Sequence, residues 1–494
     1  MLAALGLAGD ASPSNPLPSL GEVVEQIGFG PTHARYCLTG GGIYVADGAE
    51  LLLISAITES LASDWGLSPG LRAFLVTIVY FGMLLGNMAG GTFGDRYGRR
   101  GVIVTSYALV FFFCILSSFA QDYVSMCILR LAVGFGIGLG IPAWNALAAE
   151  LTPRRWRMVM QSASYILFTA GELYTASLIV YDDPTMEYLH WRELIRYGAL
   201  PGLVCLFTSL IFMYESPSYL AVQDRKDEAE NVLKVNARDN GYPDMNVEFK
   251  PAAAEGPMER ALLASHISTL FGRHLLSTTL VCVFTTFMCN VMYYGFIYAI
   301  AQVLPDLQDD GTSAGVQLLI GALWELPGAV LGMIMGLYIR RKLALKISLA
   351  FCAGSLFLFV LGVGFKDSWL GEASWHIGYY GMKCFVQVVF SASYVFSSEV
   401  YPTSVRTTGA AICVAGGKLG AMVAPLVFEF MNEVLGSEFV YFWVMLVLTI
   451  FNALIIDFAP VEPTTQGMVD TLEEFDNLIL SIQKQDYGLS INAP

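Results

Sequence analysis

Ionisable residues sit inside apolar stretches of this 494-residue chain: Asp47, Glu50, Arg130, Glu172, Glu325 and Lys383. A charge in hydrocarbon costs several kcal/mol unless it faces a cavity or a partner of opposite sign, so such residues mark proton, ion or substrate sites. Asp47 and Glu50 are three positions apart and share one helix face. The chemistry they suggest is binding and release, not bond making. No nucleophile–base spacing, metal-ligand cluster or phosphate loop accompanies them, and the five histidines (33, 190, 266, 274 and 376) are scattered. The nine cysteines form no C-x-x-C pair and read as small buried hydrophobes. Neither an enzyme nor a cofactor is expected; a proton gradient is the expected driving force.

These residues need helices that cross a bilayer. Of the chain, 55% is apolar and 14% charged, against about 25% charged in soluble proteins. Twelve apolar stretches fall near 37–59, 73–93, 101–120, 125–148, 159–180, 196–214, 276–301, 317–339, 345–364, 376–397, 408–430 and 439–459. Each suits one spanning helix of about 20 residues, and strand alternation is absent, so the class is an all-α membrane protein. The expected divisions are an N-terminal arm (1–35), a six-helix bundle (36–214), a polar linker (215–273), a second bundle (274–460) and an acidic tail (461–494). Within the linker, DRKDEAENVLKVNARDNG (224–241) has Ala229, Val232 and Leu233 at helical spacing. The net charge of −15 argues against nucleic acid.

Loop charge sets an expected orientation. Arg96, Arg99 and Arg100 follow the second stretch, Arg154, Arg155 and Arg157 the fourth, and Arg340, Arg341, Lys342 and Lys346 the eighth. Alternate loops are acidic, with Asp182 and Asp183, then Asp306, Asp309 and Asp310. By the positive-inside rule both termini and the linker are cytosolic. ELTPRRWR (150–157) recurs as EVYPTSVR (399–406) six stretches later, which points to a duplicated unit with its site where the halves meet. Glycines 134, 136, 138 and 140 let helices approach closely, and Pro142 invites a kink.

GTFGDRYGRR (91–100), RLAVGFGIGLGIPAWNALAAELTPRRWR (130–157) and YESPSYL (214–220) resemble the signature segments of the major facilitator superfamily. The likeness covers about residues 35–465. Tyr214 and Ser218 replace a Pro and an Arg of the usual pattern, and GLYIRRK (336–342) carries Arg340 where the loop motif has Asp. ADGAELL (46–52), NVMYYG (290–295), WELPG (324–328) and GMKCF (381–385) are similar to organic-ion transporters and synaptic-vesicle-protein-like members, a branch related to sugar porters.

The resemblance implies the major facilitator fold, twelve transmembrane helices in two six-helix bundles working by alternating access. It places Arg130 beside Asp47 and Glu50, where its approach would discharge a protonated carboxyl, with Glu172 a further candidate. It lines the cavity with Asn290, Tyr293 and Tyr294, and adds Glu325 and Lys383 as cargo or ion-pair groups. Gly91, Asp95, Arg96, Gly98 and Arg99 form its cytosolic latch, and Glu150 with Arg157 and Glu399 with Arg406 its gating pairs. The expectation is a secondary active transporter of a small organic ion, a monomer in the plasma membrane or an intracellular vesicle. A sugar or phosphate symporter and a non-transporting receptor are the alternatives.

Overall fold

The computed structural model describes residues 17–250, 267–273, 275–307, 312–365, 368–401 and 405–459. The acidic tail, the start of the arm, Asp309 and Asp310 lie outside them. The first half contains α1 (Leu20–Ile27), α2 (Pro31–Thr39), α3 (Ile43–Trp65), α4 (Pro69–Tyr97), α5 (Arg99–Ser117), α6 (Tyr123–Leu151), α7 (Arg157–Asp182), α8 (Trp191–Gly198) and α9 (Leu200–Phe212). The connecting tract folds α10 (Pro217–Val222) and α11 (Lys226–Asp239). The second half holds α12 (Leu276–Asn290), a π-helical turn (Val291–Gly295), α13 (Phe296–Val303), α14 (Ala314–Tyr338), α15 (Arg341–Gly364), α16 (Trp369–Glu399), α17 (Arg406–Leu435) and α18 (Phe439–Ile455).

Ten helical runs are long and apolar enough to cross a membrane, and α2 with α3, bent by 40°, make an eleventh. The twelfth is α16, whose 31 residues reach about 46 Å at 1.5 Å per residue. His376, Lys383 and Gln387 make it too polar to pass on composition alone. Polar caps start the helices: Ser68 accepts from Leu71 N–H ahead of Pro69, and Asp122 accepts from Ser125 N–H at 2.9 Å. The helix α6 runs on through Pro142.

Small residues set how the helices meet. A Cβ at Gly134 or Gly138 would lie 2.1–2.2 Å from the Val79 or Met83 carbonyl, so α4 and α6 pack backbone to backbone. Gly48 and Gly171 do the same for α3 against α7, and Gly328 for α14 against the Cys384 carbonyl of α16. The halves touch through α7 with α14, α4 with α17 and α3 with α13.

On one face, here the linker face, α1, α10 and α11 share a small core of Val23, Val24, Ile27, Leu220, Val232, Leu233 and Phe249. Arg35 of α2 pairs with Asp239, and Thr32 donates to Asn236 Oδ1 at 3.0 Å. The boundary drawn at residue 35 therefore falls inside a helix that ties the linker to the first half.

Candidate functional site

A cavity of about 360 Å³ lies between the halves. Tyr44 and Asp47 of α3, Phe168 of α7, Tyr293 and Tyr294 of the π turn, Phe390 of α16 and Lys418 of α17 surround its inner end. Towards the linker face it is lined by Asn145, Gln161, Tyr394, Ser397 and Ala410. Asp47 forms no ion pair among the described residues, and Lys418 on the opposite wall is the cation whose field reaches it. Lys418 Nζ lies 3.4 Å from Tyr294 Oη and 5.0 Å from that ring's centroid. A carboxylate and an ammonium thus face one aromatic-walled space from opposite halves. The π turn inserts one residue into the helix, a device common at functional sites, and so turns both Tyr293 and Tyr294 inward.

Asp47 and Glu50 part company. Glu50 points into the first bundle, where Arg130 pairs with it and Cys114 Sγ lies 3.6 Å from Oε2. Arg130 is fully buried, and its Nε and Nη2 have no hydrogen-bond partner among the described residues. The expected common face is therefore divided: one acid opens to the cavity and the other is closed into its own bundle.

Behind the cavity's inner wall Lys383 bridges the halves. Its Nζ lies 2.5 Å from Glu325 Oε1 and 3.2 Å from Glu172 Oε2. Tyr293 donates to Glu325 Oε2 at 2.8 Å, and Thr169 lies 3.4 Å from the same oxygen. No arm of Lys383 reaches the outer surface. Asn290 sits beside the cavity, donating to Thr286 O and to Tyr394 Oη at 2.8 and 3.0 Å.

The linker face carries an arginine–glutamate network in each half. Arg99 donates to Gly94 O, Asp95 and Glu150 at 3.0, 3.0 and 2.9 Å. Ser216 also bonds Glu150, and Glu215 accepts from the Arg99 and Arg100 backbone N–H groups, capping α5. Gly98 takes φ 93°, and a Cβ there would lie 2.3 Å from Glu215 Oε2. In the second half Arg341 donates to Gly336 O and to Glu399 at 3.0 Å. Arg341 and Glu399 thus repeat Arg99 and Glu150, and in that register Leu337 stands where the first half has Asp95, while Arg340 answers to Gly98 and not to the motif's acid.

One expected pairing differs, and a second falls partly outside the described residues. Arg157 does not pair with Glu150; its Nε lies 3.4 Å from Thr152 O, because Arg99 and Ser216 already occupy that carboxylate. Glu399 is held by Arg341, and the Arg406 side chain lies outside the described residues. Gly91, Asp95 and Arg96 are exposed.

The far face is bonded across the halves. Arg72 of α4 pairs with Glu429 of α17 at 2.8 Å and also with Glu59, while Tyr298 donates to Glu429 at 2.6 Å. Gln302 donates to Ser55 O at 2.9 Å, Thr77 to Met422 O at 2.9 Å, and Gly315 N–H to Pro184 O at 2.9 Å. The bonds that join the halves cluster at mid-depth and at this face. Sequence reading missed Lys418, Arg72, Glu429 and Glu215. Lys418 (GGKLG) and Glu429 (VFEF) lie in an apolar stretch, so the rule that flagged Lys383 also flags them. Glu215 carried its signal in YESPSYL.

The profile of the sugar (and other) transporter family matches residues 56–477. The chain is 26% identical over 483 residues to the synaptic vesicle 2-related protein of Xenopus laevis, covering 93% of this chain and 84% of that protein. It is 27% identical over 448 residues to the putative transporter SVOPL of Mus musculus, covering 84% and 85%. In fold it is similar to the xylose transporter XylE from E. coli in a partially occluded inward-open conformation, with a TM-score of 0.69, 20% identity and coverage of 91% and 100%. A structure of a D-xylose-proton symporter gives a TM-score of 0.67 at 21% identity, covering 88% and 99%. With a matching profile across most of its length and twelve helices in two duplicated halves around one cavity, the chain belongs to the sugar (and other) transporter family of the major facilitator superfamily.

Proposed function

We propose that the protein is a proton-coupled secondary transporter that carries a small organic ion by alternating access, with its linker face in the cytosol. The observation that carries this reading is the cavity itself, walled by Asp47 and Lys418 from opposite halves while the far face is bonded shut. Basic loops on the linker face support the orientation. Aromatic rings around both charges suit a flat or cationic cargo, with Asp47 taking its positive group and Lys418 its negative one. Glu50 and Arg130 supply the proton-linked pair, since a proton on Glu50 would release Arg130 from the one carboxylate that it meets among the described residues. The Arg99 and Arg341 latches hold each bundle rigid while the halves rock.

The test is uptake by purified protein in liposomes from a panel of organic cations, anions and zwitterions under an imposed pH gradient. Glu50→Gln should abolish gradient-driven accumulation while leaving counterflow exchange, and Asp47→Asn should lose both. Ligand binding without flux in the parent would overturn the reading. A sugar is the second reading, favoured by the amides Asn87, Asn145, Gln161 and Gln387 that line the cavity and can bond a hydroxylated ring from both sides. A thermal-shift screen separates the two, because a bound ligand stabilises by RT ln(1 + [L]/Kd).

A further inference from the structure

We propose that Glu172 and Glu325 hold one proton between them, and that this shared proton fastens the two halves together behind the cavity. The cluster is dry: Glu172 and Glu325 are 0% exposed and Lys383 is 2% exposed. Its hydrogen bonds are unequal. Glu325 accepts from Lys383 on one oxygen and from Tyr293 and Thr169 on the other. Among the described residues Glu172 accepts only from Lys383, through Oε2. Its Oε1 is buried with no donor, which a native structure does not leave unexplained.

A proton resolves both the charge and the bonding. Two carboxylates against one ammonium leave a net charge of −1 where no water screens it, and neighbouring carboxylates in a dry site do not both ionise. Glu172 and Glu325 meet the same Lys383 ammonium, at 3.2 and 2.5 Å, which brings the two carboxyl groups close together. Protonated on Oε1, Glu172 no longer presents a buried acceptor without a donor, and a single carboxylate is left for the Lys383 ammonium. A sodium ion is the poorer occupant, because the Lys383 ammonium already stands between the carboxylates and no metal-grade cluster of acids forms among the described residues. Of the other titratable groups, Tyr293 from the π turn bonds Glu325, the fields of the pair reach Tyr379 from α16, and that of Glu172 reaches Tyr80 from α4. Cys384 lies near Glu325, and α3 presents the Gly48 backbone, with Asp47 beyond it on the cavity side.

The position gives the proton its mechanical effect. Glu172 belongs to the first half, Glu325 and Lys383 to the second. While the proton is held, α7 is bonded to α14 and α16 and the far face stays closed. When the O–H bond of Glu172 breaks and the proton passes to water in the cavity beside Tyr293, two anionic groups from opposite halves confront a single ammonium. Their repulsion favours separation of the halves at that level. This site is distinct from the Glu50–Arg130 pair and rests on the transport reading only in requiring that the halves rock.

Infrared difference spectra of the full-length protein in liposomes, between acidic and alkaline buffer, test the proton directly. A titrating carboxylic-acid C=O band is expected in the parent, absent in Glu172→Gln and kept, shifted, in Glu172→Asp. Spin labels at Tyr181→Cys and Trp369→Cys, on the exposed far ends of α7 and α16, should move apart as pH rises in the parent and stay close at every pH in the Glu172→Gln background. The same band in Glu172→Gln and Glu325→Gln as in the parent, or a band that sodium abolishes at fixed pH, would overturn the proposal. A label separation that ignores pH in the parent would overturn the fastening role. Absent counterflow of every panel compound, with the band intact, would instead count against the transport reading alone.

Discussion

Two intramembrane cations, one from each half, are buried in opposite ways. Arg130 of the first half is closed onto Glu50 of the same bundle, whereas Lys383 of the second half reaches across to Glu172 as well as to its own Glu325. A pair inside one rigid bundle stabilises that bundle whatever its partner does. A pair across the halves exists only in the state where they meet. Similar buried chemistry therefore supports folding in one place and conformational bias in the other. Nearer the linker face the halves converge again, since Arg341 with Glu399 reproduces Arg99 with Glu150.

The largest effect should come from breaking the intrabundle pair. Arg130→Met strands Glu50 as an unpaired buried charge, at a cost of about 3–5 kcal/mol, read as a lowered melting temperature of purified protein. Adding Glu50→Leu should restore most of it. Lys383→Met leaves the first bundle's own packing intact but removes the bridge across the halves, so its principal effect should be a far-face label distance that is long even at the acidic pH where the parent stays closed. Equal melting losses and no change in that distance would erase the contrast between the halves.

The next effect sharpens the likeness of the latches. Gly98→Ala must adopt φ 93° and displace Glu215, costing about 1–3 kcal/mol, with faster amide exchange at the start of α5. Arg99→Lys and Arg341→Lys each lose the planar fork that reaches a carboxylate and a carbonyl together. Exchange protection at Glu150 and Glu399 should fall in parallel, by roughly 1 kcal/mol per lost bond.

The smallest stability effect is expected at Asp95, which is 74% exposed. Asp95→Asn should change the melting free energy by less than about 1 kcal/mol. It should slow turnover more than it weakens cargo binding, measured as maximal counterflow rate against half-saturation. A large loss of affinity at unchanged rate would remove Asp95 from the gate.

Much of the architecture was legible because the bilayer makes hydropathy a direct reading of position. The twelve stretches, the long connecting tract and the duplicated Glu-x-x-Pro motif needed only composition and spacing. The site was legible in part. Asp47, Glu172, Glu325 and Lys383 could be singled out as expensive charges, yet nothing in their spacing told which would meet. Helical periodicity put Asp47 and Glu50 together within a wide face, and packing against α6 and α5 then drew Glu50 inward. The π turn at Val291–Gly295, where α12 packs against α17, was equally hidden, since no residue spacing in the segment marks it.

Residue types alone thus determined that this chain crosses a membrane twelve times and carries charge at mid-depth, because transfer from water to lipid depends on each segment's own chemistry. Which carboxylate answers which cation was decided only by the assembled helices. Glu172 and Glu325 are more than 150 positions apart, and close backbone approach at Gly48, Gly171 and Gly328 sets the depth at which their side chains converge on Lys383.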